Sequence, residues 1–143
     1  MTDWIVVLNV VSAWTMVGVI WIVQLVHYPL LAVVGVDRSV DVANRHQRAI
    51  SFVVGPPMAV EGVTTLWLLV DRPDGVAVWL PWAGAVCVGV ALLSTVVLSV
   101  PRHARMAAAP DPVVGAELVR TNWPRTIAWT LHGVVAAAIL LST

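Results

Sequence analysis

Residues 4–36, WIVVLNVVSAWTMVGVIWIVQLVHYPLLAVVGV, run for 33 positions between Asp3 and Asp37 with no acidic or basic side chain other than His27. A helix needs about 20 largely apolar residues to cross a hydrocarbon core roughly 30 Å thick, so this stretch reads as a membrane span. Three similar gaps between charges follow. Residues 49–70 give 22 positions broken only by Glu61, residues 75–101 give 27, and residues 126–143 give 18 after Arg125. An unpaired backbone amide in lipid costs several kcal/mol, so each stretch must be helical where it meets lipid. Continuous rather than alternating apolar runs exclude a β-barrel. The expected fold is all-α: an integral membrane four-helix bundle in one domain, 1–143, with spans near 4–34, 49–70, 76–100 and 123–142.

Composition agrees. Of 143 residues 59% are hydrophobic and 11% charged, and mean hydropathy is +0.89. Eight basic and eight acidic residues cancel, leaving no bulk field to attract nucleic acid. The single cysteine, Cys87, excludes an internal disulfide and any thiolate-rich metal site. Met1-Thr2-Asp3-Trp4 carries an acid where a cleaved signal peptide needs a basic region, so the first helix is expected to be retained.

Arginine placement sets the expected orientation. Arg38, Arg45 and Arg48 lie between spans one and two, and Arg102, Arg105, Arg120 and Arg125 between spans three and four, against Arg72 alone on the other side. The positive-inside rule then puts the two long connections in the cytoplasm and both termini outside. Trp4, Trp67, Trp79 and Trp82 mark the outer end, Tyr28 and Trp123 the inner one, as an aromatic belt. Asp71-Arg72-Pro73-Asp74-Gly75 is a tight turn that makes spans two and three neighbours. Residues 37–50 are amphipathic and suit the interface, with a break or kink expected at Gly55-Pro56-Pro57. A second interfacial segment is expected after Pro110-Asp111-Pro112, with Asp111 as its N-cap and Pro112 in its first turn. Gly84, Gly89 and Gly133 read as close helix packing.

An ionisable side chain within the hydrocarbon costs at least about 2.5–3.5 kcal/mol on insertion scales, which makes Glu61 the first functional candidate. Spans two and four run in the same direction, and His132 falls at nearly the depth of Glu61, so the two are expected to pair. Gln24 and His27 share a face of span one, ahead of Pro29, which is expected to kink the helix. Arg125, Trp129 and His132 form a stripe on span four, opened by Asn122-Trp123-Pro124, and Thr95, Ser99 and Arg102 form one on span three beside His103. Taken singly, Thr95 and Ser99 bond their own helix, and His46 and His103 are solvated near the interface. Taken together, His27, Glu61, His103, Arg125 and His132 are expected to face one cavity in the cytoplasmic half.

His27-Tyr28-Pro29-Leu30, Gly55-Pro56-Pro57-Met58 leading to Glu61, Val100-Pro101-Arg102-His103, and Leu118 through Thr126 resemble an uncharacterised group of small four-helix bacterial membrane proteins. More distantly the chain is similar to the anthrone-oxygenase-like membrane proteins, which pair a histidine and proline in the first span with Asn-x-x-Arg opening the fourth. Asn122 to Arg125 supplies the latter, whereas His27-Tyr28-Pro29 spaces the former by one extra residue. The resemblance implies a bacterial inner-membrane location and oxidation of a lipophilic aromatic or quinol-like substrate. On that reading Glu61, His132 and His27 are catalytic, a substrate anion being formed that reacts with dioxygen without a metal. Arg125, Asn122, Gln24, Trp129 and His103 bind the substrate. Two alternatives stand beside it: a module in which His27 and His103 ligate haem b, or His/Glu clusters hold a metal ion, and a non-catalytic transport or accessory subunit, which four short spans would require to be a homo-oligomer.

Overall fold

A computed structural model describes residues 2–111 and 113–143, and among these no strand occurs. Four long helices, α1 (Asp3–Ala32), α2 (Val36–Val70), α3 (Trp79–Ala108) and α5 (Trp123–Leu140), form a bundle, with a short α4 (Val114–Thr121) beneath one end. α1, α2 and α3 are long and apolar enough to cross a membrane. α5, expected as a fourth span, is helical but less apolar, because it contributes the innermost polar stripe: Arg125, Thr126, Trp129 and His132 are all buried. Around the ring α1 packs between α2 and α5, and α3 closes the circuit against both, so α2 and α5 face each other across the interior.

Two prolines shape the site. Pro29 and Pro101 lack an N–H, and their rings clash with the carbonyl four residues back. In both helices the preceding turn widens to a π turn, Val23–His27 in α1 and Thr95–Ser99 in α3. Tyr28 N–H then reaches Val23 O, and Val100 N–H reaches Thr95 O. Such turns recur at functional positions because the extra residue re-aims neighbouring side chains. The disturbance expected at Pro29 takes this form.

The break expected at Gly55-Pro56-Pro57 does not occur: α2 is helical without interruption from Val36 to Val70. Each proline deletes one hydrogen bond, leaving the carbonyls of Phe52 and Val53 without helical donors, and packing of the rest of the helix holds it together. The amphipathic residues 37–50 form the first turns of α2. α3 likewise continues past its expected end to Ala108. Asp111 Oδ1 accepts the N–H groups of Val113 and Val114 at 3.0 and 3.2 Å, capping α4, and this, with the Arg105 guanidinium at 2.6 Å, holds its carboxyl below its usual range. Pro112 and Met1 lie outside the described residues.

The bundle is tied at three levels. At the end holding Trp4, Val6, Leu68, Val76, Leu80 and Ile139 form an apolar cluster. In the next layer Asn9 Nδ2 donates to Thr64 and Thr65 at 2.9 and 3.0 Å, joining α1 to α2. At the other end α4 packs on the last turns of α1, where a Cβ on Gly115 would lie 2.6 Å from Ala32 Cα. Trp4, Trp67, Trp79, Trp82 and Trp123 are exposed, whereas Tyr28, expected beside Trp123 in an aromatic belt, is 1% exposed and belongs to the interior. The π turn swings it inward.

Gly115→Ala is expected to cost about 1–3 kcal/mol through overpacking against Ala32, measured by reversible unfolding in detergent micelles. Gly89→Ala, where an added Cβ meets nothing within 4 Å, should leave stability equal or slightly raised.

Candidate functional site

Glu61 and His132 meet across the bundle interior. Glu61 Oε1 lies 3.4 Å from His132 Nε2, and both residues are 1% exposed. Their outer contacts fix the proton count between them. Gly84 O, 3.2 Å from His132 Nδ1, can only accept, so Nδ1 carries a hydrogen; Trp129 Nε1 can only donate, and does so to Glu61 Oε2 at 2.8 Å. Neither Glu61 Oε1 nor His132 Nε2 has another partner. One proton therefore belongs between them. A neutral acid facing a neutral imidazole satisfies the whole row from Trp129 to Gly84 without burying charge. Gly84 permits this approach, since a Cβ there would sit 3.4 Å from the imidazole.

Trp129 links this pair to a second polar group. Its ring lies 5.6 Å from the Arg125 guanidinium carbon, in cation–π range. Arg125 Nη1 donates to Ser99 at 3.2 Å and approaches Thr95 at 3.5 Å, and Nη2 donates to Tyr28 Oη at 3.2 Å. Tyr28 Oη is in turn 2.9 Å from His103 Nε2. Because Arg125 must donate, the tyrosine proton is free for His103 Nε2, and in that arrangement a neutral His103 carries its hydrogen on Nδ1. His46 stacks obliquely beside His103, 5.2 Å between ring centres, and its Nδ1 is 2.7 Å from His27 Nε2.

These groups surround a cavity of about 190 Å³. Tyr28, His46, Thr95, Ser99, His103, Arg125 and Trp129 line its polar side; Met16, Ile20, Ile50, Val54 and Met58 line its apolar side. Three of its lining residues hold buried polar atoms without a protein partner, His46 Nε2, His103 Nδ1 and Arg125 Nε. No carboxylate lines it, and Arg125 makes no ion pair among the described residues. The buried guanidinium is held by hydroxyls and an aromatic face alone, a setting in which a negative group would be favoured.

The expected convergence on one cavity is thus divided. His103, Arg125 and Trp129 line the cavity; Glu61 and His132 lie behind Trp129, and His27 borders an adjoining groove. Direct removal of a substrate proton by Glu61 or His132 does not fit this placement. Gln24 and Asn122, expected to hold substrate, bond each other instead: Asn122 Nδ2 donates to Gln24 Oε1 at 2.8 Å, Gln24 Nε2 donates to Val119 O at 3.1 Å, and neither lines the cavity. They brace α1 against α5. His46, read from sequence as solvated, is buried and central. Its signal lay in the spacing of Ala43, His46, Ile50, Val54, Met58 and Glu61, steps of three and four that trace one face of α2. The histidine nitrogens do not converge as ligands: among the described residues no group of three or more His, Cys, Asp or Glu side chains is arranged to hold a metal ion. No protein-family model, curated protein or solved structure matches the chain.

The proton count has a direct check. Gln at position 61 can accept from Trp129 and donate to His132 Nε2, so Glu61→Gln should unfold within about 1 kcal/mol of the parent, whereas Glu61→Leu orphans two buried groups and should lose about 1–3 kcal/mol for each. Equal damage from both would mean that the pair is held as ions.

Proposed function

We propose that the chain is an integral membrane four-helix bundle of the bacterial inner membrane that acts as an oxygenase-type oxidoreductase on a lipophilic aromatic substrate. The membrane reading is supported by three sufficiently apolar helices and by the outward side chains of Leu25, Phe52, Val63 and Leu93, all more than half exposed. Arg38, Arg45, Arg48, Arg102, Arg105 and Arg120 then mark the cytoplasmic end, with Arg72 and both termini opposite. In this frame the first turns of α2, the last turns of α3, and α4 lie at the cytoplasmic interface.

The observation that carries the functional reading is Arg125, a buried guanidinium in a cavity with apolar and aromatic walls and, among the described residues, no carboxylate lining it. An aromatic substrate with an acidic C–H or O–H supplies the missing anion once it loses a proton. His46 Nε2 is assigned as the base: in the tautomer whose Nδ1–H is donated to His27, the imidazole presents a free lone pair at the cavity wall. Arg125 and the His103 Nδ1–H stabilise the anion where it forms, and Tyr28 and Ser99 hold the guanidinium in place. The electron-rich anion then transfers electrons to dioxygen. For a methylene attached to a single aromatic ring the balance is CH₂ plus O₂ giving C=O plus water, through a hydroperoxide that loses water. Glu61 and His132 act at one remove, fixing the Trp129 indole that forms one wall.

The test is oxygen-dependent turnover of hydrophobic single-ring quinols and phenols by protein reconstituted in vesicles. Arg125→Gln and His46→Phe should each lower kcat about 10²–10³-fold, the usual effect of losing an anion-stabilising or proton-transfer group, with oxygen uptake matching product formation. Full turnover in both variants would reject the assignment.

A further inference from the structure

The cavity has a continuation that the oxidation chemistry does not use. Between α1 and α2 lies an apolar groove of about 300 Å³ whose wall includes Val19, Val23, His46 and Ile50. All four also line the cavity, so the groove adjoins it with these side chains as the shared boundary. From there the groove runs outward past Ile22, 62% exposed, and Val53, 53% exposed, which face the bilayer in the membrane reading. His27, bonded to His46 at 2.7 Å, is the groove's only other polar group.

Size and wall chemistry assign each space a different part of a ligand. A buried apolar cavity of about 150 Å³ accepts a benzene molecule, so the inner cavity of about 190 Å³ accommodates a single ring and little more. Its walls favour that ring, because Tyr28, His46, His103 and Trp129 all present aromatic surfaces. The groove offers length and apolar contact with almost no hydrogen-bonding groups, which suits a hydrocarbon chain.

We propose that the ligand is a single ring bearing a linear apolar chain, the ring's acidic group beside Arg125 and the chain lying in the α1–α2 groove towards the lipid. This rests on the reading of the cavity as a site for a lipophilic aromatic substrate, and names its class. The His27–His46 hydrogen bond has a positioning role: it bridges α1 and α2 beside the groove and fixes the imidazole shared by both spaces. Because a chain gains little by leaving bilayer hydrocarbon for an apolar groove, the groove acts chiefly as a permitted path. Closing it should exclude chain-bearing ligands sterically and leave chainless ones untouched.

The experiment compares 4-methylphenol with 4-decylphenol, binding to the full chain in lipid nanodiscs by titration calorimetry, in the parent and in Ala49→Trp. Ala49 borders the groove but not the cavity and is exposed, so the added indole fills the groove without disturbing the core. Partitioning into the nanodisc is the same for both proteins and cancels in the comparison. The expected result is an affinity for 4-decylphenol lowered at least about tenfold through overpacking of the groove, with 4-methylphenol changed less than about twofold. Val53→Trp should reproduce the effect. Loss of both ligands alike, or of neither, overturns the chain assignment while leaving the ring site intact. Failure of both phenols to bind the parent overturns the reading of the cavity itself.

Discussion

One constraint organises the interior: the fold surrounds the buried Arg125 guanidinium with neutral dipoles rather than a carboxylate. Hydroxyls of Ser99 and Tyr28 and the face of Trp129 solvate it in place of water. Both π turns serve this end, since one brings Thr95 and Ser99 to the guanidinium from α3 and the other turns Tyr28 inward from α1. The two prolines that impose those turns are therefore part of the site, although neither touches it.

The second polar group makes the opposite choice. Glu61 and His132 share one proton between fixed donors and acceptors, so a potentially ionic pair is stored neutral within the same bundle. Trp129 belongs to both groups, giving its N–H to Glu61 and its ring face to Arg125. The Arg125 guanidinium on α5 and the Glu61 carboxyl on α2 meet different sides of the same indole: one lines the cavity and the other lies behind its wall.

Much of this was legible in the sequence because burial in lipid makes charge conspicuous. The gaps between charges located every long helix, and the depth argument brought Glu61 to His132. Two kinds of information were not legible. The ends of α3, at Trp79 and Ala108 rather than 76 and 100, depend on packing rather than polarity. Side-chain direction was the larger gap. Polarity alone could not tell that Asn122 and Gln24 satisfy each other, nor that a π turn would carry Tyr28 from the expected belt to the cavity. His46 was hidden by its arginine-rich surroundings, although its spacing to Ile50, Val54 and Glu61 placed it on the inner face.

The central claim, that the Arg125 cavity selects an anion, is tested most directly by the ionisation of a bound chromophoric ligand. An alkyl nitrophenol whose own pKa lies near neutrality reports its protonation through its absorption band. The account predicts that the bound phenol ionises at least one pH unit below the free one, equivalent to about 1.4 kcal/mol favouring the anion, and that Arg125→Gln abolishes the shift. A bound ligand that stays neutral to higher pH than in solution, as burial in an apolar cavity alone would cause, would contradict it.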